Sequence, residues 1–374
     1  MRWPSDDAIE RLREEADLPD LGSSKYLVIH KLGSGGMGTV YLAQDVELGR
    51  KVAIKVMNSA EQTGALAARM TREARIVALL EHPSIVPIHD VGALDDGRVF
   101  YAMKLVQGAR LNEFAAATTS IADLLRVFQK VCEAVAFAHA RGVIHRDLKP
   151  ENIMVGPFGE VLVMDWGVAK VLGSDRVASH ATTPDNAAEL RSVEDTDLVA
   201  TLPLSADGSQ ADTRSGTVIG TPAYMSPEQA RGQTELLDQR SDVYSLGAIL
   251  YFLLTSQAPS ESARPANSLQ RSLRPSQINS QINSQINSQI NSKIPRAIEA
   301  VCLKAMSEQR EQRYGTAEEI ANDVIRFLDG QPITAYRENI FEKTGRWLGK
   351  NRFIVLLILA YLIMRVIVFF SVGR

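Results

Sequence analysis

The chain has 374 residues, enough for two or three compact units with tails, and its 45% hydrophobic and 23% charged residues are ordinary for globular proteins. Its formal net charge of −3 leaves no basic footprint, which argues against a nucleic-acid partner. The sequence contains only two cysteines, Cys132 and Cys302, so we expect buried thiols in a reducing compartment and no disulfide.

The N-terminal segment, residues 1–25, is acidic. Its first 22 residues hold seven acidic and three basic side chains and lack the apolar core of a signal peptide. They predict a short amphipathic helix, to which the sequence assigns no purpose.

From Tyr26 the pattern changes to β-strands, two of which flank a glycine-rich flap. Gly33, Gly35 and Gly38 give G-x-G-x-x-G, which alone is a weak signal. The dinucleotide-binding version opens a helix, whereas β-formers follow here. The stretch therefore predicts a strand–turn–strand flap whose backbone N–H groups can lie over phosphates. The flap comprises Leu32, Gly33, Ser34, Gly35, Gly36, Met37, Gly38, Thr39 and Val40.

Two charged residues stand in apolar surroundings. Lys55 lies in the predicted strand "VAIKVM", and Glu73 shares the apolar face of a predicted helix that begins near residue 61. Because an unpaired buried charge is costly, we predict that the two side chains pair and that the ammonium points at a ligand. The alternative is that both reach solvent at the ends of their elements.

Polar residues then interrupt two apolar runs. "HRDLKPEN", His145 to Asn152, lies between "VI" and "IMV", and the next strand ends at Asp165 in "DWG". A turn needs Gly, Asn or Asp and not this mixture of acid, base, proline and amide. A plain polar loop between strands is the alternative interpretation.

Two stretches break the globular pattern. Residues 171–217 are rich in Ser, Thr and acids without periodicity and predict a flexible insert. Residues 257–293 contain "QINS" in tandem from Gln277 to Ser292, which we interpret as a duplication in a surface loop without a function. Amphipathic helices are predicted to close the domain by residue 330.

A hydrophobic stretch predicts a single transmembrane helix over residues 353–372. Its first 18 residues contain one charge, Arg365, and a helix of that length rises about 27 Å, close to the thickness of a hydrocarbon core. The preceding segment, 331–352, ends in basic and aromatic residues, which places its side of the membrane in the cytoplasm. We therefore expect a cell-membrane protein with the lipid bilayer as a partner. A buried terminal helix of a soluble domain is the alternative.

The order of these pieces, followed by "GTPAYMSPEQA" and a long apolar helix, closely resembles the protein-kinase family, and bacterial serine/threonine kinases in particular. The similarity covers roughly residues 26–330. It implies an α+β, two-lobed fold that binds ATP between its lobes. A small β-rich N-lobe with one key helix would span 26–106, and a larger helical C-lobe would span 107–330.

The resemblance also implies the catalytic and metal-binding residues. Asp147 would accept the proton of the substrate hydroxyl, and Lys149 would lie beside the transferring phosphoryl group. Asn152 and Asp165 would hold Mg²⁺ or Mn²⁺, which suits hard oxygen ligands.

For ATP, the resemblance implies that Lys55 contacts the α- and β-phosphates and is fixed by Glu73. The flap and Met103 would complete the nucleotide site. His145 is expected to pack structurally rather than act as a base.

Further residues are implied for regulation and substrate binding. Arg146 would receive a phosphorylated activation loop, so we hypothesise autophosphorylation within Thr213 to Thr221, a stretch that includes Thr217, or in the preceding insert. It would occur between two copies of the chain that form a homodimer. Thr221 would shape the acceptor site for Ser/Thr hydroxyls of protein substrates, and Glu228 would pair with Arg313.

Three features depart from the family pattern. Trp166 replaces the usual phenylalanine, in what we expect to be a packing role. The segment from Asp165 to Glu228 is unusually long, and 257–293 replaces a substrate-docking helix. A catalytically inactive scaffold of the same fold and a small-molecule phosphotransferase are the rival hypotheses. The presence of Lys55, Asp147 and the other implied catalytic residues disfavours the first, and "GTPAYMSPE" disfavours the second.

Overall fold

The computed structural model describes residues 18–22, 24–35, 38–56, 77–94, 97–118, 120–166, 170–171, 222–259, 274–276, 294–340, 342–344, 355–358 and 360–365. These residues form an N-terminal lobe built on one β-sheet and a C-terminal lobe built mainly from helices. Each lobe has its own cluster of buried hydrophobic residues.

The N-lobe sheet has five antiparallel strands in the order β1-β2-β3-β5-β4. β-branched and aromatic residues favour these strands, and the predicted positions are confirmed for the first three. The strands are β1 Tyr26–Gly35, β2 Gly38–Asp45, β3 Arg50–Val56, β4 Ile88–Ala93 and β5 Val99–Lys104.

The N-lobe core extends upstream of residue 26, where we predicted the domain to begin. Leu21 is buried and Leu18 packs against the same cluster, which includes Tyr26 and Phe100. The Tyr26 hydroxyl donates to Asp90 at 3.1 Å. A short part of the acidic segment therefore belongs to the folded lobe.

The C-lobe is organised around two long helices. α2 begins after Ser120, whose hydroxyl caps it by accepting from the Asp123 N–H. From Ser241 onward α4 is buried on nearly all sides, which explains why most of its sequence after the first turn is apolar. The helices of this lobe are α1 Leu111–Ala117, α2 Ile121–Ala140, α3 Pro227–Ala230, α4 Gln239–Thr255, α5 Arg296–Ala305 and α6 Ala317–Leu328.

Short strands carry the polar stretches of the C-lobe. β6 Ala109–Arg110, β8 Ile153–Val155 and β9 Val161–Val163 form one sheet, and β7 Val143–Ile144 pairs with β10 Lys170–Val171. The stretch "HRDLKPEN" connects β7 to β8, and Asp165 follows β9. The stretch "HRDLKPEN" and Asp165 therefore both lie at strand ends. Asp165 also contacts Lys55 of the N-lobe.

Cys132 and Cys302 are free and fully buried, as predicted. Burial raises the pKa of both thiols, which keeps them protonated.

The predicted transmembrane helix is described only in part. Residues 355–358 and 360–365 are helical, and seven large apolar side chains there are more than half exposed. Over the described residues, no helix combines the length and apolar character needed to cross a membrane. The part of the predicted helix that would carry Glu73, up to position 76, lies outside the described residues.

Candidate active site

The flap is the hairpin between β1 and β2. Gly35 pairs with Gly38 across it, while the predicted tip residues Gly36 and Met37 lie outside the described residues. A Cβ at Gly38 would meet the Val56 carbonyl oxygen at 2.5 Å, so a side chain there would push β2 from β3. The other predicted flap residues lie on the two strands, with Leu32, Gly33 and Ser34 on β1 and Thr39 and Val40 on β2.

Lys55 projects from β3 towards the C-lobe. Its side chain is 11% exposed, and its Nζ lies 2.5 Å from the Asp165 carboxylate. Its predicted partner Glu73 is outside the described residues, so that pairing stays a prediction. Met103 lies on β5 opposite Ala53 of β3 and is half-buried.

Asp165 takes a left-handed backbone conformation, with φ of +59°. Burial by itself would raise the pKa of its carboxyl, but the charge and hydrogen bond of Lys55 outweigh burial and lower it. Asp165 is therefore ionised at neutral pH, as a metal ligand must be.

The loop between β7 and β8 gathers the predicted catalytic residues. Lys149 Nζ lies 2.8 Å from the Asp147 carboxylate. The Asn152 side-chain nitrogen donates to the Asp147 carbonyl oxygen at 2.9 Å. The N–H of Met164 donates to the Asn152 carbonyl oxygen at 2.8 Å, which brings Asn152 close to Asp165, the residue after Met164.

This donor set fits a hard divalent cation bound together with a polyphosphate. With its amide nitrogen turned to Asp147, Asn152 can offer an oxygen, and Asp165 offers a carboxylate. Over the described part of the chain, no cluster of three or more His, Cys, Asp or Glu side chains could hold a metal alone. Mg²⁺ commonly binds through one or two protein groups plus phosphates, which is the arrangement that these residues allow.

Asp242, on α4, anchors the catalytic loop and was missed by our sequence analysis. Its fully buried carboxylate accepts from the backbone N–H of His145 at 2.7 Å and of Arg146 at 2.9 Å. The His139 ring lies 2.8 Å away. Burial acts to raise the pKa of Asp242, but these contacts lower it overall. The sequence feature that could have indicated this role is an acidic residue in the first turn of a helix whose later turns are mostly apolar.

His145 and Trp166 pack against each other beneath the loop. Their ring centroids are 4.6 Å apart, and both side chains are buried. His145 Nε2 lies 3.0 Å from the Met164 carbonyl oxygen. The structure thus places both residues in packing positions, as predicted.

Glu228 and Arg313 form the predicted buried ion pair, with two contacts of 2.7 and 2.8 Å. The Ser241 hydroxyl adds a hydrogen bond of 2.9 Å to the same carboxylate. Burial opposes ionisation of Glu228, but Arg313 more than offsets it, so the pKa is lowered. The pair fixes α3 to the segment between α5 and α6.

Arg146 lies in the catalytic loop with φ of +71°. Thr217 and Thr221 lie outside the described residues, so the roles predicted for them stay predictions.

The sequence pattern of the protein kinase domain matches residues 26–190 and 204–325. The interruption falls inside the predicted insert, 171–217. "Serine/threonine-protein kinase PknD" of Protochlamydia amoebophila is 34% identical over 333 residues, which cover 85% of this chain and 31% of that protein. "Serine/threonine-protein kinase PknB" of Mycobacterium leprae is 34% identical over 319 residues, covering 84% of this chain and 44% of that protein. The chain thus matches less than half the length of either relative.

Among solved structures, the PknI kinase domain of Mycobacterium tuberculosis superposes with a TM-score of 0.55 at 22% identity. The superposition covers 83% of this chain and 99% of that one. It supports the two-lobed fold with a β-sheet N-lobe and a helical C-lobe.

Proposed function

Because this chain belongs to the protein kinase family, in which its relatives are bacterial serine/threonine kinases, we propose that it transfers the γ-phosphoryl group of ATP to Ser or Thr hydroxyls of proteins. One observation carries the proposal. The Lys55–Asp165 contact joins the N-lobe sheet to the C-lobe loops that carry Asp147, Lys149 and Asn152. We call the region between the sheet and these loops the cleft.

The cleft residues divide the work of phosphoryl transfer, which needs positioning and charge neutralisation more than covalent chemistry. Lys55 binds the α- and β-phosphates, and Lys149 stabilises the charge of the transferring group. Asp147 orients the acceptor hydroxyl and takes its proton. Asn152 and Asp165 would hold a Mg²⁺ or Mn²⁺ ion, which would supply further positive charge to the phosphates.

The decisive test is transfer of labelled phosphate from ATP to the chain itself and to a generic basic protein. We expect the wild type to label both and Asp147→Asn to lose nearly all transfer. Asp123→Asn is a matched control, because Asp123 is exposed on α2 and its ion pair is with Arg126, which is not one of the predicted site residues. Labelling that survives Asp147→Asn would contradict the role of Asp147, and no labelling by the wild type would favour the inactive scaffold. Labelling of a small-molecule acceptor, with no labelling of either protein, would favour a small-molecule phosphotransferase.

We also propose that the segment 353–372 anchors the chain in the cell membrane as a single span, with the kinase domain in the cytoplasm. The exposure of its apolar side chains supports this, since Leu357 is 71% exposed and a chain in water would bury such residues. The preceding basic residues, which include Lys343 and Arg352, suit the cytoplasmic face.

Flotation with liposomes tests the anchor. We expect the full chain to float and Leu362→Arg combined with Ile363→Arg to stay in the dense fraction, since each charge near the helix centre costs about 2.5–3.5 kcal/mol on insertion. Phe158→Arg is the matched control, because Phe158 is 91% exposed and belongs to the turn between β8 and β9, outside the proposed span. Flotation of the double variant would contradict a membrane span.

Autophosphorylation between two copies follows as a further part of the proposal. An anchor confines copies to one surface and so raises their effective concentration. A phosphate within residues 213–221 would add negative charge for Arg146 to bind. Mass spectrometry after incubation with ATP tests this, and an unmodified 171–221 segment in an active enzyme would contradict it.

A further inference from the structure

Gln229 on α3 joins the stretch "GTPAYMSPEQA" to the catalytic loop. It directly follows Glu228 and is 5% exposed. Its Nε2 donates to the Arg146 carbonyl oxygen at 2.7 Å, across 83 positions of sequence. This partly buried hydrogen bond connects two segments that are distant in sequence.

The orientation of this amide is set by its partners at both ends. Its Oε1 lies 3.1 Å from the Ser226 backbone N–H, which can only donate. Its nitrogen therefore faces the Arg146 carbonyl, which can only accept. Gln229 closes the capping box of α3 and supports the catalytic loop with the same side chain.

The hydrogen bond from Gln229 is accepted by the peptide group between Arg146 and Asp147. The carbonyl of this peptide, from Arg146, accepts from Gln229, and its N–H, from Asp147, lies 3.3 Å from His145 Nδ1. Arg146 holds φ of +71°, a conformation that non-glycine residues keep only when their surroundings impose it. Asp242 restrains the N–H of Arg146, so Gln229 and Asp242 restrain the two ends of one strained residue.

We propose that Gln229 is a positioning residue for phosphoryl transfer. By donating to the Arg146 carbonyl it fixes the peptide before Asp147 and thereby aims the Asp147 carboxylate at the acceptor hydroxyl. The inference rests on the proposed kinase function. Through this hydrogen bond, α3, which follows the predicted activation loop, directly contacts the catalytic loop.

Two substitutions distinguish the hydrogen bond that Gln229 donates to Arg146 from its role in capping α3 through Ser226. Gln229→Glu keeps an oxygen for Ser226 but places a carboxylate oxygen against the Arg146 carbonyl. Gln229→Met keeps the length and removes both functions. If the donated bond matters, both variants lose roughly tenfold or more in kcat, while KM for ATP stays nearly unchanged. If only the cap matters, Gln229→Glu behaves like the wild type and Gln229→Met does not.

A pH profile gives a readout that a merely structural role would not move. A protonated carboxyl can donate a hydrogen bond, whereas a carboxylate cannot. Because burial against the Arg146 carbonyl should raise the pKa of an introduced carboxyl, the kcat of Gln229→Glu, relative to wild type, should recover in part as the pH falls from about 8 to about 5. Gln229→Met has no titrating group and should show no such recovery.

Gln239→Glu is the matched control. Gln239 also donates its side-chain nitrogen to a backbone carbonyl, that of Gly315, at 2.8 Å, but it does not touch the catalytic loop. Its kcat should match the wild type. Melting temperatures of all variants report any general loss of folding.

The experiment measures kcat and KM of the full chain with ATP and a generic basic protein. Wild-type kcat in Gln229→Glu, or equal losses in Gln229→Glu and Gln239→Glu, would overturn the inference and leave the proposed function intact. Loss of kcat in Gln229→Glu without recovery at lower pH would assign Gln229 a structural role only. A wild type that transfers no phosphate would contradict the proposed function, and this inference with it.

Discussion

The two walls of the cleft are held by different interactions. The N-lobe wall is a β-sheet, in which Lys55 sits between Val40 on β2 and Tyr101 on β5 through backbone pairing. The catalytic loop is held by side chains of Asp242 and Gln229, which bond to its backbone from 83 to 97 positions away. Single side-chain changes should therefore disturb the catalytic loop readily, whereas the sheet should yield mainly to changes that strain its backbone.

The largest effect is expected from breaking the ion pair that holds α3. Glu228→Gln leaves the Arg313 charge buried without its counterion, because Arg313 is 4% exposed. Removing one partner of a buried pair costs about 3–5 kcal/mol, so the free energy of unfolding should fall by about that amount. Urea unfolding measures it.

Glu308→Gln is the control for this pair. Glu308 contacts Arg231 at 3.1 Å with both side chains exposed, and such pairs contribute about 0–1 kcal/mol. Equal losses in the two variants would show that α3 is not held by the buried pair.

The next largest effect should come from Asp242→Asn, which directly weakens the hydrogen bonds that hold the backbone of the catalytic loop. An amide can accept from one of the two N–H groups of His145 and Arg146, but its nitrogen repels the other. A displacement of the loop by about 1 Å should lower kcat about 10²-fold, equivalent to about 2.7 kcal/mol. Binding of an ATP analogue, which depends also on the N-lobe wall, should change much less.

Asp238→Asn on the same helix is the control, because Asp238 caps α4 through the Arg240 N–H and does not touch the loop. Its kcat should be unchanged. A comparable fall in kcat for Asp238→Asn would mean that α4 acts as a whole rather than through Asp242.

The difference between the walls also explains what the sequence could predict. The strands β1 to β3 and the flap follow from local alternation and glycine spacing, so their positions were predicted correctly. The Glu228–Arg313 pair was predicted through the family resemblance. Asp242 and Gln229 were missed because their partners are backbone atoms, which leave no complementary residue in the sequence. The Lys55–Asp165 contact spans 110 positions and depends on the packing of both lobes.

On the N-lobe side, Gly38→Ala should strain the sheet itself. A Cβ at Gly38 would lie 2.5 Å from the Val56 carbonyl oxygen, a backbone atom of β3 that cannot rotate away. Overpacking of this kind costs about 1–3 kcal/mol, and the KM for ATP should rise as the flap shifts. Gly33→Ala is the control for folding, since no atom lies within 4 Å of its Cβ position. Equal unfolding free energies for the two variants would contradict a backbone clash.

Acidification should weaken the C-lobe by a smaller amount. Asp323 on α6 accepts hydrogen bonds from the hydroxyls of Tyr314 and Thr334. Burial acts to raise the pKa values of Glu228, Asp242 and Asp323, but their hydrogen-bond partners outweigh it, so all three are lowered in the folded state. A carboxyl with a lowered pKa stabilises the fold above its unfolded pKa, and this contribution is lost as the pH falls through that value towards the folded one.

We therefore expect unfolding free energies to change little between about pH 7 and about pH 5 and to decline below about pH 4.5, by at most about 1.4 kcal/mol per pH unit for each such carboxyl. Glu228→Gln, which removes one titrating group, should show a shallower decline. Stability that rises on acidification would contradict the lowered pKa values.

The smallest effect is expected from Trp166→Phe, which tests whether the ring beneath the catalytic loop holds it in place. The substitution keeps an aromatic ring against His145 and removes a long hydrogen bond of 3.4 Å from Nε1 to the Val163 carbonyl. We expect a loss of about 1 kcal/mol in stability, against about 3–5 kcal/mol for Trp166→Ala, and nearly wild-type kcat. The reason is that the backbone of the loop is bonded to Asp242 and Gln229, not to the ring. A fall in kcat for Trp166→Phe as large as that for Asp242→Asn would show that packing, rather than these hydrogen bonds, positions Asp147.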